Sequence, residues 1–245
     1  MTATASAQRV FVAGAAGVVG RRLTPLLRQR GYQVTGTTRS TARVDELARR
    51  GVDPVVVDIF DPRAVAQAMA AARPTVVIHQ LTDLSGGFAP DRQLDTLTRN
   101  ARIRTEGTRN LVLAARSVGV RRLIAQSIVW MYAPGPEPHG EEDPLDVAAE
   151  GTRGISVRGV LALEQAVLEA PPPEGVVLRY GWFYGPGAND QPAGRPGVHV
   201  DAAAHAAMLA IDQGAPGIYN VAEPGPSVST DKARRALGWE PGFRA

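Results

Sequence analysis

The sequence predicts an α/β fold, a doubly wound parallel sheet, from three observations. Short apolar runs alternate with amphipathic helical patterns along the chain, as repeated βαβ units require. The first run breaks into a glycine loop, VFVAGAAGVVG from Val10 to Gly20, and a helical stretch follows at once. Two segments rich in Pro and Gly, 133–154 and 185–197, interrupt the later part of the chain as long loops, and such loops beyond strand ends usually border a ligand.

Taken in order, strands are expected at 9–13, 32–37, 54–58, 75–80, 121–127, 175–180 and 217–221. Helices are expected at 18–30, 42–50, 62–72, 92–118, 155–169 and 201–213. The first helix carries Leu23, Leu26 and Leu27 on one face. The third starts at an Asp61-Pro62 pair, in which the aspartate caps and the proline occupies the first turn. The 245 residues suffice for one α/β domain, 1–245, with a full core.

Composition excludes several classes. There is no cysteine, so disulfides, thiolate catalysis and sulfur-ligated zinc are ruled out. No metal site is expected. No stretch approaches the apolar length of a membrane span, and the first residues, MTATASAQR, are too polar for a secretion signal. A cytoplasmic protein that binds neither membrane nor nucleic acid is expected. The net charge of +3 comes from arginines spread among acidic residues with few aromatics between them. Of 27 basic residues only Lys232 is a lysine, so a mechanism needing lysine elsewhere is excluded.

Strand, glycine loop and helix together form a dinucleotide site of Rossmann type. Gly14 permits the tight turn, Gly17 lets the backbone approach a pyrophosphate, and Gly20 lets helix pack on strand. Ala16, Val18 and Val19 complete the loop at the helix N-terminus. At the end of the second strand the sequence reads VTGTTRS, with no carboxylate to bond a ribose 2′-hydroxyl. Arg39, with Ser40 and Arg43 beside it, suits a 2′-phosphate instead, so NADP(H) is the expected cofactor.

The GxxGxxG spacing resembles the extended, atypical short-chain dehydrogenase/reductases of epimerase/dehydratase type. Further segments carry the resemblance from residue 9 to about 241. DIFD matches a pair in which Asp58 bonds the adenine amino group and Ile59 covers the ring. TVVIHQLT resembles VIHLAA and points Gln80, Leu81 and Thr82 at the cofactor, with His79 read as a bonded core residue. EGTRNLVLAA resembles NVxGTxNLLEAA, and RRLIAQSIVWMYAP resembles the strand that bears the catalytic serine. LRYGWFYGPG resembles the nicotinamide-proximal LRxxxxYGPG, while VHVDAAA and DKARRALGW match HVDDAA and KAxxxLGW. The resemblance implies cofactor contacts at Gln126, Tyr180, Gly181, Trp182 and Phe183, and a homodimer pairing through the helices at 92–118 and 155–169.

The departures concern chemistry. The family's YxxxK pair supplies a proton and holds the ribose. Aligning Glu164 with the family's KxxxE glutamate puts Ser156 at the tyrosine and Val160 at the lysine. The family's asparagine falls on Arg104, and Asn100 lies a helical turn earlier. Of the usual catalytic set only Ser127 remains, with Thr82 the other candidate hydroxyl. The C-terminal substrate region is reduced, so loops 84–95, 133–154 and 185–197 are expected to build the pocket. Trp130, Met131, Tyr132, Trp182, Phe183 and Tyr184 beside them suit a flat, aromatic substrate, although at least half are expected to be core packing.

The pattern is similar to the ketoreductases of actinobacterial angucyclinone pathways of simocyclinone type. It implies an NADPH-dependent ketoreductase acting on an aromatic polyketide, with the proton coming from Ser127, Thr82, ordered water or, where a phenol or enol neighbours the carbonyl, the substrate itself. The alternatives are an NADP-binding redox sensor without turnover and a sugar-nucleotide epimerase or dehydratase.

Overall fold

The computed structural model describes residues 8–83, 89, 91–169, 171–190 and 194–245. Its strands are β1 (Arg9–Ala13), β2 (Gln33–Thr38), β3 (Asp53–Val56), β4 (Val76–His79), β5 (Arg122–Ile128), β6 (Glu174–Tyr180), β7 (Trp182–Tyr184), β8 (Gly197–His199) and β9 (Gly217–Val221). Its helices are α1 (Val18–Gln29), α2 (Val44–Arg49), α3 (Pro62–Ala72), α4 (Gln93–Arg102), α5 (Thr108–Ser117), α6 (Gly151–Leu168), α7 (Val200–Leu209) and α8 (Asp231–Leu237).

Seven strands form one parallel sheet in the order β3-β2-β1-β4-β5-β6-β9. Strand order reverses between β1 and β4, so the loops that leave their carboxyl ends diverge and open a crevice there. Alternation along β1 shows why the sheet is covered twice. Val10 and Val12 pack with Leu23 and Leu27 of α1 and the alanines of α7, whereas Phe11 and Ala13 pack with Val65 and Met69 of α3 and Leu111 of α5. Both faces are therefore dry, as a parallel sheet requires.

Asp61 caps α3 as expected, its carboxylate accepting from the Arg63 and Ala64 N–H groups with Pro62 in the first turn. Four details depart from expectation. The β7–β8 ribbon and α8 were not foreseen, and α6 begins at Gly151, which shortens the expected loop 133–154. The helix expected over 92–118 is interrupted at Ile103–Gly107 by a π-turn, a feature often found at functional sites. Of the expected pocket loops, 84–88, 90 and 191–193 lie outside the described residues. Among the described residues no helix is long and apolar enough to cross a membrane.

Candidate active site

The glycine loop is built for close approach. A Cβ on Gly14, whose φ is +92°, would stand 2.9 Å from the Gln80 carbonyl, and one on Gly20 would stand 2.3 Å from the Gly14 oxygen. Gly17 is different: it is exposed, and a Cβ there would meet only the Gly14 oxygen, at 3.2 Å. It is also the N-cap of α1, whose first turn carries no acidic side chain and no side-chain cap. The amide groups of Val18, Val19 and Gly20 thus face the cleft without an intrahelical acceptor, a ready cradle for a pyrophosphate. The Val19 side chain is turned the other way, into the core, so only its backbone is offered.

Beyond the loop lies a narrow slot between β2, β3 and β4. Thr37, Thr38, Arg39, Val57, Ile59, Phe60, Leu81, Thr82 and Ile103 line it, and Arg102 stacks over the outer face of Phe60 at 3.9 Å. This flat apolar gap suits an adenine. Asp58 is exposed at its edge with Oδ1 accepting from the Phe60 N–H. The Arg39 guanidinium stands at the mouth, 56% exposed, 3.4 Å from Asp83 Oδ2, a carboxylate that also meets Arg99 at 3.6 Å. Arg43 pairs with Glu46 at 3.0 Å. Ser40 is exposed beside Arg39, its N–H donating to Thr38 Oγ1.

Under the middle of the cleft, His79 is sealed in. Its Nδ1 accepts from the Leu81 N–H, so Nε2 carries the proton and donates to Thr108 Oγ1 at 3.1 Å. Burial, assisted by the charge of Arg104, pushes its pKa down to about 4. The ring is neutral core, as expected. The Gln80 side chain is buried against the Tyr180 hydroxyl and lines neither the slot nor the cavity beyond it.

The reactive end is a cavity of about 290 Å³ lined by Thr82, Gln93, Leu97, Asn100, Arg104, Gln126, Ile128, Trp130, Met131, Thr152, Arg153, Ser156, Trp182, Phe183 and Asn189. Trp130 and Trp182 stack at 4.3 Å between ring centres, and Arg195 lies over Trp182 at 4.7 Å. Of the aromatics expected here, Trp130, Trp182 and Phe183 line the cavity with Met131, while Tyr132 is buried core. Tyr184 is held by Glu223 and packs edge-on against His199.

Two expectations fail here. Ser127 does not reach the cavity: alternation along β5 turns Gln126 and Ile128 into it and Ser127 away, with its hydroxyl donating to Glu164 Oε1 at 2.7 Å. Tyr180 and Gly181 do not face a cofactor either. Tyr180 is fully buried with its hydroxyl donating to the Ala203 carbonyl, and Gly181 packs so tightly that a Cβ would stand 2.6 Å from the Pro196 oxygen. Ser156 does line the cavity, but its hydroxyl donates to the Thr152 carbonyl, and Val160 is core.

Sequence reasoning missed the buried network behind this wall. Glu164 accepts from Arg179 Nη2 at 2.6 Å and from Arg179 Nε at 2.9 Å, while Arg179 Nη1 donates to the Tyr132 hydroxyl and the Glu141 carbonyl. Tyr132 in turn donates to Asn220 Oδ1, and the Asn220 N–H donates to Glu141 Oε1. Burial pulls the Arg179 pKa down, but the hydrogen bonds and charge of Glu164 more than reverse this and leave it raised. The network fastens the loop after β5 to β6 and β9, and Arg153 adds a second tie through Asp146 at 2.6 Å and the Trp130 and Tyr132 carbonyls. Asn100 is likewise structural, clamping Asp83 through both its N–H and its carbonyl. Among the described residues no group of three or more His, Cys, Asp or Glu is placed to hold a metal.

The glycine cradle and the apolar slot fit a dinucleotide laid across β1 and β4, and comparison with known proteins agrees. Residues 10–197 match the NAD dependent epimerase/dehydratase family. A 3-diazoavenalumate denitrifying reductase from a Streptomyces species is 42% identical over 241 residues, covering 89% of this chain and 77% of the relative. A dTDP-4-dehydrorhamnose reductase from Streptomyces griseus is 32% identical over 73% of this chain and 51% of its own length. The fold is that of the Thermotoga maritima UDP-glucose 4-epimerase (TM-score 0.77, 20% identity, 97% of this chain and 94% of that one). It is also that of the Bordetella bronchiseptica enzyme WbmG in complex with NAD (TM-score 0.75, 20% identity, 100% and 92%).

Proposed function

The chain belongs to the NAD dependent epimerase/dehydratase family and is an oxidoreductase, and we propose that it reduces a flat aromatic acceptor with NADPH without drawing a proton from the protein. One observation carries this reading. Among the described residues, those lining the reactive cavity include no carboxylic acid, histidine, tyrosine or lysine, so none of them is a side chain of the usual acid type.

The glycine loop would hold the pyrophosphate, the slot at Ile59 and Leu81 the adenine, and Arg39 with Ser40 the 2′-phosphate. Thr82 and Gln126, which line the cavity, would take the nicotinamide end. A nicotinamide bound there supplies hydride. The chain's own contribution is then orientation: the Trp130–Trp182 wall aligns the acceptor and the loop after β5 keeps water out. Positioning alone is worth up to roughly 7 to 11 kcal/mol of barrier.

A diazo group is the acceptor this cavity suits best. An arenediazonium that takes up hydride becomes the arene and releases dinitrogen, and the charges balance with no proton consumed. The 42% identical relative is named as a denitrifying reductase of a diazo compound. The second reading is a ketone on an aromatic polyketide, where a neighbouring phenol or enol supplies the proton. It is favoured by Thr82, whose side chain borders both the adenine slot and the reactive cavity and could bond a ketone oxygen. The redox-sensor alternative yields to the reductase-named relatives. For the homodimer, Leu94 of α4 and Leu113 of α5, both more than half exposed, are the apolar side chains a pairing through these helices would cover.

The test is consumption of NADPH in the presence of arenediazonium carboxylates, hydroxylated aromatic quinones and dTDP-keto-sugars. With diazonium acceptors, dinitrogen should equal NADPH consumed. NADPH deuterated at the transferable position should label the ring carbon that bore nitrogen, whereas heavy water should leave it unlabelled. Turnover with quinones alone selects the ketone reading, and turnover with none of the three overturns both.

A further inference from the structure

We infer that Arg104 is the anchor for a carboxylate on the aromatic acceptor. The assignment rests on the reading of the cavity as the acceptor site and adds the chemical class of what enters it. Arg104 lies in the π-turn between α4 and α5 and lines the cavity. Its neighbour Arg102 points outward to Glu106 at 2.8 Å, whereas Arg104 makes no hydrogen bond or ion pair with any described residue. The nearby Glu164 is already occupied by Ser127 and by both arms of Arg179. Burial lowers the Arg104 pKa to about 10, with the charge of Glu164 opposing, so the group remains a cation at neutral pH.

An unpaired guanidinium drawn out of water is costly, and the usual reason to keep one is an anion that arrives later. The packing shows that it is held in place. A Cβ on Gly159 of α6 would stand 3.0 Å from the Ala101 Cα and 3.5 Å from the Arg104 Cδ, so this glycine lets α4 close on α6 with the arginine stem lying between them. Charge count then selects the anion. Among the described residues the other arginine in the cavity lining, Arg153, is spent on Asp146 and two carbonyls, and Arg195 is stacked on the Trp182 ring outside that lining. One unpaired guanidinium within the lining matches a single carboxylate better than the diphosphate of a sugar nucleotide. The stacked Trp130 and Trp182 make an aryl carboxylate the best fit, with the planar guanidinium taking both oxygens.

The experiment measures binding to the NADP⁺-loaded protein by quenching of tryptophan fluorescence, using trans-cinnamate and naphthoate against cinnamamide and naphthamide. Each carboxylate should bind at least about tenfold tighter than its amide, the gain of one charge-assisted pair. Arg104→Gln should erase the difference while leaving the amides and NADP⁺ unchanged. Arg104→Lys should retain part of it, and carries the test should the glutamine variant not fold. Equal affinity of acid and amide in the wild type, or a preference that survives Arg104→Gln, overturns the assignment. Because no turnover is needed, a carboxylate preference without reduction of any acceptor would defeat the reductase reading and leave Arg104 standing.

Discussion

At the loop after β1, a methyl group on Gly20 would stand 2.3 Å from a backbone oxygen. At the other end of the same cleft, Ser156 and Val160 stand at the positions that the resemblance aligns with a tyrosine and a lysine, the first lining the cavity and the second packed in the core. The difference is one of constraint. Cofactor binding depends on backbone approaching backbone, which only glycine allows, so that half of the site is fixed by geometry. The reactive half depends on what side chains project, and side chains can be exchanged while the sheet behind them stays. Behind that half stands the charged scaffold of Glu164 and Arg179, which holds the wall in place whatever side chains project in front of it.

The sharpest way to break this comparison is to remove the scaffold. Arg179→Met leaves Glu164 buried with only the Ser127 hydroxyl, and stability should fall by about 3 to 5 kcal/mol, the usual loss when one partner of a buried pair is removed. Denaturant unfolding measures it. Arg179→Met combined with Glu164→Leu should recover much of that loss, because no charge is then stranded. In conditions where the single variant stays folded, NADPH affinity should match the wild type. A parallel fall in cofactor affinity would mean that the two halves are not independent.

A smaller effect is expected at the mouth of the adenine slot. Arg39→Ala should weaken NADPH by roughly ten- to a hundredfold, the equivalent of a charged hydrogen-bonded contact of about 1.5 to 3 kcal/mol. NADH should change little, because it lacks the 2′-phosphate. Titration of both cofactors reads the ratio. Asp83, 3.4 Å from Arg39, is the reason to measure rather than assume: a guanidinium held by a carboxylate must be shared with the phosphate. Equal weakening of the two cofactors would mean that Arg39 does not read the phosphate.

The cofactor half was the more legible in sequence, for the same reason. Glycine spacing, the Asp61-Pro62 start and apolar strands buried on both faces are local signals, and they placed β1, α3 and β9 to the residue. The reactive half is assembled by contacts that leave no local trace. Glu164 meets Arg179 across 15 positions and Tyr132 meets Asn220 across 88. Arg104 was visible only as a missing asparagine, and that its guanidinium is unpaired follows from the π-turn and Gly159, neither of which a periodicity reveals. β7 and β8, three residues each, are too short to show an alternation at all.

The smallest predicted effect concerns the one family hydroxyl that the sequence retains. If Ser127 donated the proton, its removal should cost about a hundredfold or more in kcat. Its hydroxyl instead donates to Glu164 behind the cavity wall, so Ser127→Ala should leave kcat within about threefold, well short of what a lost general acid costs. Stability should fall by about 1 kcal/mol, the net worth of one hydrogen bond, since Arg179 still satisfies the carboxylate. Steady-state turnover and denaturant unfolding on the same preparation separate the two. A large kinetic loss with unchanged stability would place Ser127 in the reactive cavity after all. It would also return the proton to the protein and leave a diazo acceptor with no advantage over a ketone.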